Sequence, residues 1–152
     1  MQTDRTAIEE FVQQKKFAVV GVSREPKKFG NYIYKELSGK GFGVIPVNPH
    51  MDKFDSHVCY RNLLEIPEKV DGAIVVVPPE QAEAVVRDAS AAGIPRVWLQ
   101  QGSESDSVIS FCRDHGVEVV AGKCIMMFAP PVSSFHRVHR FVWNLFHRKS
   151  EG

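Results

Sequence analysis

The chain has almost no charge imbalance. Nineteen lysines and arginines stand against 18 acids in 152 residues, for a formal net charge of +1 with histidine neutral. A general nucleic-acid binder needs a basic excess on one surface, so that class is set aside. Cysteine is scarce, and Cys59, Cys112 and Cys124 form neither a CxxC nor a Cys/His metal spacing. Reduced thiols fit this pattern better than a disulfide framework. No run approaches the ~18 apolar residues of a membrane helix, and the acidic start MQTDRTAIEEF has no apolar signal core. A soluble, cytoplasmic protein is expected. Two nucleotide fingerprints are also missing. Gly-x-Gly-x-x-Gly fails at Ser23, and Asn48 stands where an acid would hold an NAD ribose. No Gly-Lys-Ser/Thr occurs, so phosphoryl transfer on a Walker A loop has no motif.

What is present is organised around Phe17 to Leu37. Phe17-Ala18-Val19-Val20-Gly21-Val22 is an apolar run suited to a strand buried on both faces. A polar loop, Ser23 to Gly30, follows, and then an amphipathic helix from near Asn31 to about Lys40. Strand, small-residue loop and helix aim backbone N–H groups and a helix N-terminus at a phosphate. Before this unit, Thr6 with Glu9 offers a capping box for a helix running to about Gln14. After it come strands at 44–47, 73–77, 96–99 and 117–121, with helices expected at 80–92 and 105–115, Ser105 capping the second. A minor strand at 57–60 and a helical turn at 63–70, broken at Pro67, fill the gap. The alternation predicts one α/β domain over 1–152, doubly wound, with a five-stranded and mainly parallel sheet and a core at 17–124.

In such sheets ligands bind beyond the carboxyl ends of the strands. Here those ends read Gly21-Val22-Ser23, Asn48-Pro49, Val77-Pro78-Pro79 and Gln101-Gly102, all small, turn-forming or amide-bearing residues. Any one of them is ordinary turn chemistry, whereas four on one edge make a candidate site. Ser23 offers a hydroxyl, and Arg24, Lys27 and Lys28 are candidate counter-charges before Gly30. Arg24 and Lys27 read equally well as solvated surface cations, so Lys28, nearest the helix start, is the preferred one.

Gly21-Val22-Ser23-x-x-Pro26-x-Lys28-x-Gly30-Asn31, Val47-Asn48-Pro49, Val76-Val77-Pro78-Pro79 and Trp98-x-Gln100-x-Gly102 resemble the CoA-binding protein family. Its small Rossmann-like domain is related to the N-terminal domain of the succinyl-CoA synthetase α subunit. The resemblance covers about 17–124 and implies that coenzyme A or an acyl-CoA lies across the strand ends. Phosphates would sit near Gly21, Ser23 and Lys28, and the nucleotide near Asn48 and Pro49. The remainder would lie near Val77, Pro78, Pro79 and Gly102. The synthetase reacts through a phosphohistidine in a second domain that has no counterpart in these residues, so binding without catalysis is the implied function. The resemblance includes a cysteine at Cys124, read as a small buried hydrophobe or as a thiol within reach of that of CoA. Where many relatives continue to an acid, this chain has Met126-Met127-Phe128-Ala129, and no carboxylate role is carried over.

From about 132 to 149 the chain becomes a basic amphipathic helix by pattern. Phe135, Val138, Val142 and Leu145 lie on one stripe, with Arg137, Arg140, Arg148 and Lys149 elsewhere. It reads as a last helix packed on the sheet whose broad apolar face also suits a homodimer. His136 and His139 alone are too few for a metal site, and none is assigned. Two rivals keep the fold: an NADP-dependent oxidoreductase, with Ser23 and Arg24 on the 2′-phosphate, and an interaction protein with a vestigial nucleotide pocket.

Overall fold

The structure, a computed structural model, describes residues 3–129. The elements are α1 (Thr3–Val12), β1 (Lys16–Val20), α2 (Phe29–Gly39), β2 (Gly43–Val47), β3 (Lys53–Phe54) and β4 (His57–Val58), then β5 (Gly72–Val75), α3 (Pro79–Ala91), β6 (Arg96–Gln100), α4 (Asp106–Asp114) and β7 (Glu118–Lys123). Turns of 3-10 helix lie at Leu63–Glu65 and Ile125–Met127. Five strands form one sheet in the order β2-β1-β5-β6-β7, every neighbouring pair parallel. From β1 the chain steps outward to β2, then returns to the other side of β1 for β5, β6 and β7. That reversal opens a crevice between the loops following β1 and β5.

The strands carry almost continuous apolar residues because both faces are covered. Their period of two sorts the side chains. Phe17, Val19, Ile74, Trp98 and Val120 join α1 and α2 on one face, and Ala18, Val20, Ala73, Val75, Val97 and Leu99 join α3 and α4 on the other. The first face is aromatic. Phe11 stacks on Phe17 with ring centres 5.0 Å apart and meets Trp98 edge-on at 5.3 Å. The second is built of valine, alanine and leucine, which lets α3 and α4 lie close to the strands.

The expected alternation of strands and helices is observed, and Ser105 caps α4 by accepting from Val108 N. The minor strand expected at 57–60 is observed as β4, and one expectation is corrected. α1 starts at Thr3, so Thr6 is an interior helical residue and its capping box with Glu9 does not form. The segment after β2 makes its own antiparallel hairpin, β3–β4, whose tip residues Asp55 and Ser56 both have positive φ. Tyr60 bridges Val47 at the outer edge of β2, its N–H donating to Pro46 O and its carbonyl accepting from Asn48 N. The helix expected at 132–149 lies outside the described residues.

Candidate functional site at the carboxyl edge of the sheet

The loop after β1 is held from three sides. Gly21 has φ +129°, and a Cβ there would sit 2.2 Å from the Val76 carbonyl oxygen. Only glycine lets the ends of β1 and β5 approach this closely. Gly30, in the first turn of α2, presses on the other side, since a Cβ at that position would lie 2.2 Å from the Gly21 carbonyl oxygen. Asn31 is buried beneath the loop, 4% exposed. Its Oδ1 accepts from Ser23 N at 2.7 Å, and its Nδ2 donates to Ser23 O at 2.8 Å and Glu25 O at 3.1 Å. From the end of β2, Asn48 Nδ2 donates to Val22 O at 2.6 Å while its Oδ1 accepts from His50 N at 2.7 Å. Two neutral amides thus do the work that charge could have done, and the loop's cations stay at the surface.

Arg24 and Lys28 both lie in exposed positions. Arg24 Nη2 donates to His50 O at 3.0 Å, and Lys28 Nζ stands 3.8 Å from a Glu25 carboxylate oxygen in a solvent-exposed pair. The Ser23 hydroxyl oxygen accepts from Glu25 N at 3.1 Å, which leaves its proton available for donation. α2 begins at Phe29, its N-cap residue Lys28 makes no side-chain cap, and its first turn carries no acid. Its leading N–H groups and positive dipole end are therefore unneutralised by the helix itself.

Beside the loop, on the α3 face, is a cleft of about 610 Å³. Val20, Val47, Pro49, Leu63, Val77 and Val85 give it apolar lining. Its rim carries Glu65, Glu80 and Asp88 against one cation, Arg61, which is itself 3.4 Å from Asp52. Burial raises the Asp88 carboxyl above the ordinary carboxylate range. Apolar walls and a carboxylate excess disfavour an anion there.

Further along the edge, Gln100 is buried and its Oε1 accepts from Ile125 N at 3.1 Å, tying β6 to the turn after β7. Gln101 is exposed, and Gly102 turns with φ +101° and donates its N–H to Glu104 Oε2 at 2.9 Å. Cys124 is half-buried at the end of β7. Burial pushes the Cys112 thiol up to about 11 and raises that of Cys59. Both are thiols, not thiolates, at neutral pH.

A family model described as a CoA binding domain matches residues 15–130 of this chain. The chain belongs to the CoA-binding domain family. A conserved hypothetical protein from Pyrococcus furiosus is 44% identical with a TM-score of 0.71, the match covering 74% of this chain and 97% of that one. The uncharacterized protein YneT of Bacillus subtilis is 29% identical, over 80% of this chain and 90% of its own length. Acetate–CoA ligase [ADP-forming] II of Archaeoglobus fulgidus is 32% identical over 69% of this chain. This chain spans only 17% of that ligase.

Within this CoA-binding domain the fold brings Gly21, Val22, Ser23, Arg24, Gly30 and Asn48 into one hydrogen-bonded and packed assembly, and Pro49 lines the adjoining cleft. Lys28 sits on its rim, and Val77, Pro78 and Pro79 lead from the end of β5 into α3. Gln101 and Gly102 are set apart, because β6 lies two strands from β1, about 10 Å across the sheet. The cleft lining from Arg61, Leu63, Gln81 and Val85 is absent from the motifs. Those residues come from a 3-10 turn, the bend before it and a helix face, and the i, i+4 spacing of Gln81 and Val85 was the one available signal. Asn31 stood in the motif, but its role as the loop's clamp is visible only in three dimensions.

Proposed function

We propose that this chain binds coenzyme A or an acyl-CoA at the carboxyl edge of its sheet and supplies no reacting group of its own. The observation that carries this reading is a separation of polarity within one crevice. An apolar cleft with an acidic rim lies beside a loop whose surface charges are basic, next to the unneutralised start of α2. A ligand with a neutral amine-bearing base at one end and phosphates in its middle matches that order. The base would lie between Pro49 and Val77. The phosphates would take the Ser23 hydroxyl, the Lys28 ammonium and the first N–H groups of α2. Gly21 N and Ser23 N already donate to Val47 O and Asn31 Oδ1, so Gly21 serves by close packing and not as an amide donor. The remainder of the ligand would leave past Pro78, Pro79 and Gly102.

Calorimetry of CoA, acetyl-CoA and NADP on ligand-stripped protein at fixed salt tests this reading. Micromolar binding of the CoA species with no heat from NADP is expected. Lys28→Ala is expected to weaken CoA and flatten its salt dependence, as removal of one phosphate contact does. NADP binding without CoA binding would overturn the assignment.

A further inference from the structure

Anion recognition on the loop after β1 falls largely to side chains, because three of its backbone donors are engaged. Gly21 N donates to Val47 O, Ser23 N to Asn31 Oδ1, and Glu25 N to Ser23 Oγ. Among the loop's cations, Arg24 is placed differently from Lys28. Its hydrogen bond to His50 O carries the guanidinium from the first strand-end loop to the second. His50 follows Pro49, which walls the cleft, and Arg24 follows Ser23. A nucleotide with its base in the cleft and its diphosphate on the loop passes its ribose between these two points.

We infer that Arg24 reads a phosphate carried on that ribose, making CoA, with its 3′-phosphate, the preferred ligand over dephospho-CoA. The inference rests on the CoA reading above. One of the five guanidinium N–H groups is held by the His50 carbonyl, which fixes the fork and leaves the others to face a phosphate. No carboxylate among the described residues pairs with Arg24. The neighbouring rim makes such a cation necessary. Glu65, Glu80 and Asp88 would repel a ribose phosphate, and Arg61 is already paired with Asp52. Without Arg24 the extra phosphate is a liability for binding; with it, the phosphate becomes the mark by which CoA is told from ligands that share the rest of its nucleotide.

The test is calorimetry of CoA and dephospho-CoA against wild type, Arg24→Ala and Arg24→Lys, with NADP and NAD as a second pair and melting temperature as the folding control. Wild type is expected to favour CoA over dephospho-CoA by on the order of tenfold or more, the range of charged hydrogen bonds. Arg24→Ala is expected to lose that factor for CoA, to weaken dephospho-CoA far less, and to melt normally. Arg24→Lys should recover part of the preference, since it keeps the charge without the fork. Equal binding of the two ligands by wild type, or a preference that survives Arg24→Ala, overturns the role of Arg24 and leaves CoA binding standing. Silence from both CoA species overturns the underlying reading instead. So does an Arg24-dependent preference for NADP over NAD, which would move the ribose phosphate to a different ligand.

Discussion

The two edges of the sheet are built from the same five strands and solve their polar problems in opposite ways. At the amino edge, charged side chains make the contacts. Lys16 pairs with Glu68, and the backbone N–H groups of Lys15 and Lys16 donate to Asp71 Oδ2 at 3.4 and 3.1 Å. Arg96 Nη1 donates to Asp71 O at 2.9 Å. At the carboxyl edge the loop is held by neutral amides, Asn31 and Asn48, and by glycine packing. Its cations stay at the exposed surface, Arg24 bonded to the His50 carbonyl and Lys28 3.8 Å from a Glu25 carboxylate oxygen. An edge organised by uncharged groups is rigid and still holds its charges in reserve, which is the preorganised condition that lowers the entropy loss of binding.

The largest expected contrast between the edges lies in their glycines. Gly21→Ala forces a Cβ to 2.2 Å from the Val76 carbonyl oxygen at a φ of +129°, and should lose roughly 3 kcal/mol or prevent folding. Gly43→Ala, at the amino edge, meets its nearest atom, the Lys16 Cγ, at 3.5 Å, and should stay within about 0.5 kcal/mol of wild type. Urea unfolding of the two variants measures the difference, and similar losses would erase it. Asn31→Ala is next. It leaves Ser23 N and two carbonyls without their partner beneath the loop, and should lose about 2 kcal/mol of stability. It should also weaken CoA at a temperature where the variant remains folded. Normal CoA affinity in a destabilised Asn31→Ala would mean that the clamp serves folding alone.

The smallest effect belongs to the amino edge. Burial first, then the hydrogen bond and charge of Glu10, hold the Glu118 carboxyl above the ordinary range, with Arg96 pulling the other way. A carboxyl raised on folding disfavours its ionised form in the native state. Its penalty is therefore absent at pH below the unfolded value and grows as pH rises through the raised one. Glu118→Gln should accordingly match wild type in acid, gain slightly in stability at neutral pH, and leave CoA binding unchanged throughout. A change in CoA affinity would show that the two edges are coupled.

Much of this architecture could be read along the chain. Continuous apolar runs such as Phe17–Val20 can only be strands buried on both faces, and the glycines after the helices mark where each crossover ends. The positions of Gly21, Ser23, Asn48 and Pro49 were readable too, because turn chemistry at strand ends leaves a local trace. Boundaries were less so. Thr6 and Glu9 make a capping pattern that the helix runs past, beginning at Thr3, since short-range propensity yields to the packing of Ala7, Ile8 and Phe11 on the sheet. The cleft had still less trace, because its walls come from β1, β2, a 3-10 turn and α3, with no fixed spacing among them.

The sequence by itself determined the parallel α/β sheet, the small and turn-forming residues at the carboxyl ends of its strands, and the glycine where two loops must touch. These follow from periodicity, burial and sterics, which act between neighbours in the chain. Only the tertiary structure decided that Asn31 and Asn48 act as clamps, that Gly21 and Ser23 keep their amides for the fold, and that Arg24 stands between loop and cleft. Those are contacts among residues far apart in sequence or on opposite sides of a turn, and their partners are chosen by the order in which the strands assemble.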